Sequence, residues 1–161
     1  MRKKPKEQGK SLDRTDLRIL KELQLEGRLS NTELAKRVML SPTPCAERVK
    51  ALEKNHFIQS YQARLNPQLL HLELLVFVEI SLLRTSPDVF AEFREAVIQL
   101  PEVLECHLVS GNFDYLIKAR VADMTAYRQL LGETLLTLPG VSDSRTYVVM
   151  EEVKETQMLP I

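Results

Sequence analysis

Residues 41–54 read SPTPCAERVKALEK, and this stretch decides how the first part of the chain folds. The pattern predicts a helix that begins abruptly, with Ser41 as its N-cap and prolines in the first turn, where backbone amides have no helical acceptor. One face is apolar and carries Cys45, Val49 and Leu52. The opposite face is polar and carries Thr43, Glu47, Lys50 and Lys54. Taken alone, such a helix is more often an ordinary solvated helix than a binding element.

Two further helices are predicted upstream of this stretch. Residues 12–24 have a periodic apolar face that ends before Gly27. Residues 32–38 follow, with Ser30 and Glu33 at the spacing of a capping box. Three helices, the last two joined by a tight turn, are typical of a helix-turn-helix, whose final helix lies in a DNA major groove. Short helical hairpins in enzymes can show the same pattern.

The distribution of charge separates these two interpretations. The whole chain is neutral, with 22 Lys and Arg against 22 Asp and Glu. Residues 1–64, however, hold 15 basic and 8 acidic side chains, a net charge of +7, and residues 65–161 hold 7 and 14, a net charge of −7. A basic module gains affinity for double-stranded DNA by releasing counterions. The alternative is that the two oppositely charged modules attract one another.

The remaining pattern predicts a second domain. Residues 57–65 alternate loosely and are interpreted as a short hairpin or wing, so we assign residues 11–65 to the helix-turn-helix domain and 66–74 to a linker. In the second domain, residues 75–154, we predict strands at 76–82, 103–110, 114–121 and 141–151, with helices starting at 86–88 and spanning 123–138. The pattern LPEV at 100–103 recurs as LPGV at 138–141, which indicates two similar halves.

Two split βαβ units in this order predict a ferredoxin-like βαββαβ sandwich, and the fold class is therefore α+β with an N-terminal winged helix-turn-helix. Only one sheet face would be covered by helices. The other face is expected to carry Phe77, Val103, His107, Val109, Leu116, Tyr147 and Val149. Such an apolar face calls for a partner, and a second copy of the same sheet is the simplest one.

Several other classes of protein are disfavoured. The longest apolar run, residues 74–78, is too short to span a membrane, and two cysteines do not form a disulfide framework, which fits the cytoplasm. No nucleophile elbow, phosphate-binding loop or metal-ligand spacing is present, so we expect no catalysis, cofactor or metal. The basic residues 1–10 are read as a disordered terminus, with a phosphate-contacting arm as the alternative.

The motifs LDRTD at 12–16, SPTPC at 41–45 and HLVSGNFDY at 107–115 resemble the Lrp/AsnC family of bacterial and archaeal regulators, as do residues 138–141 and 145–153. The resemblance extends from residue 12 to 154. It implies a transcription regulator of amino-acid metabolism genes, associated with the nucleoid, that binds an amino acid and assembles as dimers into larger rings, expected to be octamers. One departure is Asn112, where the family more often has Asp.

The DNA contacts are assigned from the helical faces. Base-reading residues are expected to be Thr43, Glu47 and Lys50. Residues near phosphates, or at the start of the helix, are expected to be Lys36, Arg37, Ser41, Arg48 and Lys54.

The effector contacts follow once an amino acid is accepted as the ligand. The turn Gly111-Asn112-Phe113 offers backbone amides for a carboxylate, and Asp114 can pair with the ammonium group. Most turn aspartates serve the turn's own amides, but the family resemblance favours the role beside the effector. An apolar wall is expected from Val109, Met124, Tyr147 and Val149, in part from a neighbouring subunit. This wall favours an aliphatic effector, leucine first. The competing function is an amino-acid-sensing regulatory subunit of a metabolic enzyme.

Overall fold

The structure is a computed structural model that describes residues 11–161, and the basic residues 1–10, interpreted above as a disordered terminus or a phosphate-contacting arm, lie outside them. The described chain forms two compact units. The first unit consists of residues 11–64 together with Glu155–Ile161, and the second unit consists of Leu65–Lys154. No helix in the described part of the chain is long and apolar enough to cross a membrane.

Three helices form the first unit: α1 (Arg14–Leu25), α2 (Asn31–Arg37) and α3 (Pro42–Lys54). Asp13 caps α1 by accepting hydrogen bonds from the amides of Thr15 and Asp16, each at 2.8 Å. Ser30 caps α2 through the amide of Glu33, as the capping-box spacing predicts. The apolar faces of the three helices meet in one core, formed by Ile19, Leu34, Ala35, Val38, Cys45 and Leu52.

Two local details of this unit differ from what the sequence indicates. Ser41 occupies the N-cap position of α3, but its side chain makes no capping hydrogen bond, because prolines in the first turn remove amides that a cap would serve. Residues 57–65 form no strand in the described chain, so of the two alternatives, hairpin or wing, the hairpin is wrong. The segment is instead held to α3, since the amide of Phe57 donates to the Leu52 carbonyl at 2.9 Å.

The second unit contains strands β1 (Leu74–Leu82), β2 (Val103–Leu108), β3 (Tyr115–Val121) and β4 (Val141–Val148), with α4 (Pro87–Val97) after β1 and α5 (Met124–Gln129) after β3. The strands form one antiparallel sheet in the order β2-β3-β1-β4. This is the predicted ferredoxin-like arrangement. Alternate residues of β1 and β3 point into a core with the helices, and Phe93 of α4 is fully buried there.

The predicted long helix at 123–138 is broken into three segments. After α5 come a π-helical turn at Leu130–Thr134 and a 3-10 turn at Leu135–Thr137. Gly132 and two threonines are weak helix formers, and the Thr137 hydroxyl donates to the carbonyl of Thr134 at 2.8 Å. The change of pitch still buries Leu135 and Leu138.

The sheet face without helices is more polar than predicted. We call it the open face, and the residues on it include Phe77, Glu79, Glu105, His107, Leu116, Lys118, Arg145 and Tyr147. Val103 was expected here but packs against the helix-side core. A register shift between Val103 and Glu105 inserts an extra residue into β2, and this bulge reverses the side on which Val103 lies.

Candidate functional site

Helix α3 presents a polar surface over a buried apolar one. Cys45 is fully buried and Leu52 is 3% exposed, so these two residues fix the helix on the core. The polar residues Thr43, Glu47, Lys50 and Lys54 are all exposed, as is Ser41 at the start of the helix. The side chains predicted to read bases therefore share one solvent-facing side of α3.

The turn between α2 and α3 is held by direct contacts. The side-chain amide of Asn31 donates to the carbonyl of Pro42 at 2.7 Å, which joins the first turns of both helices. Met39 adopts a φ of 58°, a left-handed conformation that side chains rarely take, and its chain neighbour Leu40 donates to the Ala35 carbonyl at 2.9 Å. These contacts fix the angle at which α3 leaves α2.

Arg48, predicted to lie near phosphates, is bound within its own unit. Its guanidinium donates to Asp13 at 2.6 Å and to Asp16 at 2.7 Å, so it ties α3 to the first turn of α1. The pKa of Asp13 is held below its ordinary value, first by the hydrogen bond from the Asp16 amide and then by Arg48. The pairing in turn raises the pKa of Arg48.

Arg37 is engaged in the same way. It lies 2.9 Å from Glu26 and 3.3 Å from Glu22, both on or beside α1, and these carboxylates raise its pKa. Lys36 differs, because its side chain is 72% exposed and its ammonium nitrogen is 3.8 Å from the Glu33 carboxylate, farther than the closest contacts of the two arginines. Sequence reasoning missed both arginine clusters, since their partners are 11 to 35 positions away. The acidic residues at the start and end of α1 were the available signal.

The turn between β2 and β3 is closed by Asp114. Its carboxylate accepts from the amide of Leu82 at 2.7 Å, and its own amide donates to the Ile80 carbonyl at 2.9 Å. The amide of Val109 donates to the Asp114 carbonyl at 3.0 Å. Gly111 has a φ of 155° and open space around its Cα, so the backbone can be approached closely there.

The predicted effector residues do not form one pocket within a single chain. The turn at 109–114 adjoins the end of β1 where Ile80 pairs with Tyr115. Met124 begins α5 just after the opposite end of β3, and Val149 donates to the Leu75 carbonyl at that same end of the sheet. The two groups are separated by about 20 Å along the strands. Tyr147 lies on the open face and donates to Glu79 at 2.9 Å.

A cavity of about 340 Å³ lies at the Val149 end of the sheet. It is lined by Gln68, Glu73, Leu75, Val149, Met150, Glu151 and Glu152. Of the predicted effector residues, it contains Val149 alone. No three His, Cys, Asp or Glu side chains within residues 11–161 gather into a set that could hold a metal ion.

The two units match two family models. Residues 12–59 match a winged helix-turn-helix DNA-binding domain, and residues 75–159 match the Lrp/AsnC ligand binding domain. Among curated proteins, the leucine-responsive regulatory proteins of Klebsiella pneumoniae and Escherichia coli K12 are each 65% identical over 156 residues, which cover 97% of this chain and 95% of the relative.

Solved structures agree with this assignment. A transcriptional regulator from Neisseria meningitidis, in complex with L-Met, has a TM-score of 0.89 at 41% identity and covers 93% of this chain and 97% of its own. An AsnC family transcriptional regulator from Agrobacterium tumefaciens has a TM-score of 0.88 at 34% identity, covering 92% of this chain and 97% of its own.

Proposed function

Because the chain belongs to the Lrp/AsnC family of transcription regulators, we propose that α3 reads operator DNA and that an aliphatic amino acid, leucine first, modulates this binding. The chain is a regulator and not an enzyme, with one unit for DNA and one for an amino-acid ligand. The observation that carries the DNA assignment is the exposed polar face of α3 above buried Cys45 and Leu52.

On this face, Thr43, Glu47 and Lys50 are proposed to contact base edges in the major groove, where hydrogen bonding distinguishes all four base pairs. Ser41, Lys36 and Lys54 are proposed to lie along the phosphates. Arg37 and Arg48 were assigned to phosphates as well, but their guanidinium groups are bound by carboxylates of the first unit. We propose that these two arginines act on DNA binding by holding α2 and α3 in place.

The proposed ligand contacts start from the turn at 109–114. The amides of Gly111, Asn112 and Phe113 are suited to a carboxylate, and the second carboxylate oxygen of Asp114 is suited to an ammonium group. An aliphatic side chain then needs an apolar wall. Since Met124 and Val149 lie at the other end of their own sheet, we propose that a neighbouring subunit supplies them, with Val109 and Tyr147 completing the wall.

The relatives guide the choice of ligand. The curated relatives are named leucine-responsive, and the Neisseria meningitidis regulator was solved with L-Met, so each name or title contains an amino acid with an uncharged, apolar side chain. Burying either charged end of the ligand without a partner is costly, and an apolar wall would leave a polar side chain unpaired. These considerations support leucine before asparagine.

Self-association is proposed through the open face. Phe77 and Tyr147 lie side by side there, and the charged residues around them occur in opposite-sign neighbours, Glu79 beside Arg145 and Glu105 beside Lys118. A twofold interface lets each charge meet the opposite charge of an identical surface. We propose that such dimers assemble further into octamers, and that the protein acts in the cytoplasm on the nucleoid.

A fluorescence anisotropy titration on an A·T-rich promoter duplex tests the proposal. We expect tight binding that weakens steeply with salt, and a shift of roughly 5- to 150-fold in DNA affinity when leucine is added. A panel containing methionine, isoleucine and asparagine identifies the ligand class. Binding that no amino acid alters would overturn the effector assignment, and an absence of duplex binding would overturn the role of α3.

A further inference from the structure

One charged side chain is buried in the described part of the chain. Arg120, on β3, is 8% exposed. One of its terminal nitrogens donates to both carboxylate oxygens of Glu152, each at 2.8 Å, and the other donates to the backbone carbonyl of Leu72 at 3.3 Å. The guanidinium is therefore shared between two segments that are far apart in the sequence.

These two segments are the connections between the units. The chain leaves the first unit after Arg64 and returns to it at Glu155, so it passes between the units twice. Leu72 belongs to the first connection, and Glu152 belongs to the second. Both connections are thus attached to the sheet of the second unit through one side chain.

The first unit holds the same two segments. Arg64 lies 3.4 Å from Glu155, which joins the end of the outgoing segment to the start of the returning one. Further along, Gln24 of α1 exchanges two hydrogen bonds with the backbone of Leu159, at 3.2 and 2.6 Å. The two connections are therefore held together twice: by Arg120 within the second unit, and by the contact of Arg64 with Glu155 within the first unit.

A buried ion pair is weak evidence for stability, because well-packed apolar residues of similar volume often serve the fold as well or better. The geometry of the Arg120 contacts does define that the segments containing Leu72 and Glu152 meet, and which residues face each other there. The planar guanidinium reaches Glu152 with one terminal nitrogen and the Leu72 carbonyl with the other, so it fixes the two segments relative to each other, which the single ammonium group of a lysine would not do. The contact is suited to positioning the connections.

Strand β3 also reaches the proposed ligand site. It begins at Tyr115, the residue after Asp114, and it pairs with β2 on one side and with β1 on the other. A strand hydrogen-bonded on both sides is stiff, so a displacement of the turn at 109–114 reaches Arg120 along the same strand. The turn and the two connections are thereby linked through one element.

We propose that Arg120 is the positioning residue that couples ligand binding in the second unit to DNA binding in the first, by holding both chain connections at one point of the sheet. The proposal rests on the proposed function, since it needs an amino acid that alters DNA affinity.

The test uses the full chain with Glu152→Gln, which keeps the shape of the partner but removes its charge, and Arg120→Lys, which keeps the charge but has no second nitrogen to contact Leu72 and Glu152 together. Glu151→Gln is the matched control, because it removes the same charge one position earlier, whereas Arg120 contacts Glu152. For each protein, leucine binding is measured by calorimetry and DNA affinity by anisotropy with and without leucine.

We expect Glu152→Gln and Arg120→Lys to bind leucine, and to bind DNA in the absence of leucine, with affinities within about twofold of the wild type. The fold-change in DNA affinity on adding leucine should be at least fivefold smaller than in the wild type, or absent. Glu151→Gln should keep the wild-type response. A full response in both test variants overturns the proposal. So does a loss of leucine binding or ligand-free DNA binding along with thermal stability, because that result indicates a structural role only.

Hydrogen exchange without ligand tests the attachment itself. We expect faster exchange in residues 66–74 and 149–154 of Glu152→Gln, and wild-type exchange in Glu151→Gln. If exchange in Glu152→Gln equals that of the wild type, Arg120 does not hold the two connections, and this conclusion does not depend on the effect of leucine on DNA binding. If the wild type shows this attachment but no amino acid alters its DNA affinity, the proposed effector function and the coupling both fail, and that result is distinct from a failure of Arg120 alone.

Discussion

The carboxylate of Asp114 accepts a hydrogen bond from the backbone amide of Leu82 at 2.7 Å. This contact joins the β2–β3 turn to the end of β1, so one oxygen of Asp114 serves the fold. The other oxygen makes no hydrogen bond within residues 11–161, and it is the oxygen that we propose for the ammonium group of the ligand. The two readings of this residue from sequence, a turn aspartate and an ammonium partner, are therefore compatible.

Asparagine at this position separates the two roles. Asp114→Asn keeps an acceptor for the Leu82 amide but loses the negative charge, so we expect leucine affinity to fall at least tenfold with little change in melting temperature. Asp114→Ala loses both and should also destabilise the fold by about 1–3 kcal/mol, since the buried amide is left unpaired. Calorimetry and thermal melting measure the two effects. Wild-type leucine heats in Asp114→Asn would remove the carboxylate from the ligand site.

Lysines on two sides of the helix-turn-helix should differ in their effect on DNA. Lys50→Ala should cost roughly 1–3 kcal/mol and relax the preference at one base position, because Lys50 is assigned to a base edge. Lys36→Ala should weaken all sequences alike and reduce the salt slope by about one. Anisotropy over a salt series with single-base operator variants measures both. A uniform loss in the two variants would show that the groove-facing side of α3 is assigned wrongly.

Arg48 should influence the acid titration of Asp13. The pKa of Asp13 is lowered in the folded state, so its contribution to stability is present above the ordinary value of 3.8 and is lost as the pH falls through the lower folded value. In Arg48→Gln, we expect the NMR titration midpoint of Asp13 to rise only part of the way, because the Asp16 amide, the larger cause, remains. A midpoint that does not move would exclude the ion pair in solution.

The same variant tests what Arg48 does on DNA. If it positions α3, Arg48→Gln weakens binding with an unchanged salt slope, whereas a phosphate contact would lower the slope by about one. Lys36→Ala provides the comparison, since that residue is assigned to a phosphate.

Two buried tyrosines should respond oppositely to loss of the hydroxyl. Tyr115 is 2% exposed and stacks on Phe93 with 4.3 Å between ring centres, yet its hydroxyl has no partner within the described chain. Tyr127 is 3% exposed and shares a hydrogen bond with the Thr146 hydroxyl. Tyr115→Phe should therefore leave the free energy of unfolding unchanged or raise it, while Tyr127→Phe should lower it by about 1 kcal/mol. Urea unfolding of both variants decides the matter, and equal losses would contradict it.

The open face should carry the first step of assembly. A charge at its centre, as in Phe77→Asp, is expected to convert the full-length dimer or larger assembly into monomers at micromolar concentration, because an unpaired carboxylate cannot be buried between two sheets. Sedimentation velocity measures this, with the exposed helix residue Glu95→Gln as a control. An unchanged sedimentation coefficient for Phe77→Asp would exclude this face from the interface.

The order and type of the main elements were predictable because they depend on local periodicity. The alternation of Val76, Val78 and Ile80 and the helical spacing of Phe93 and Val97 each occur within a few residues. The side of the sheet on which Val103 lies was not predictable, since a bulge changes it without a local signal.

For the candidate site, exposure along α3 follows from its period. The partners of Arg48 come from a helix more than thirty positions earlier, and nothing in the local pattern specifies that pairing. The distance between the turn at 109–114 and Val149 depends in the same way on how the strands pair. Residue types at a site were therefore easier to predict than their neighbours.

The contact between Gln24 and Leu159 has a consequence for how the protein is made. The two residues are separated by 135 positions, so at translation speeds of about 5–20 residues per second the side chain of Gln24 waits roughly 7 to 27 seconds for its partner to be synthesised. The whole sheet of the ligand-binding unit is translated within that interval. All four strands of the ligand-binding unit are therefore synthesised before the first unit can form its contact with Leu159.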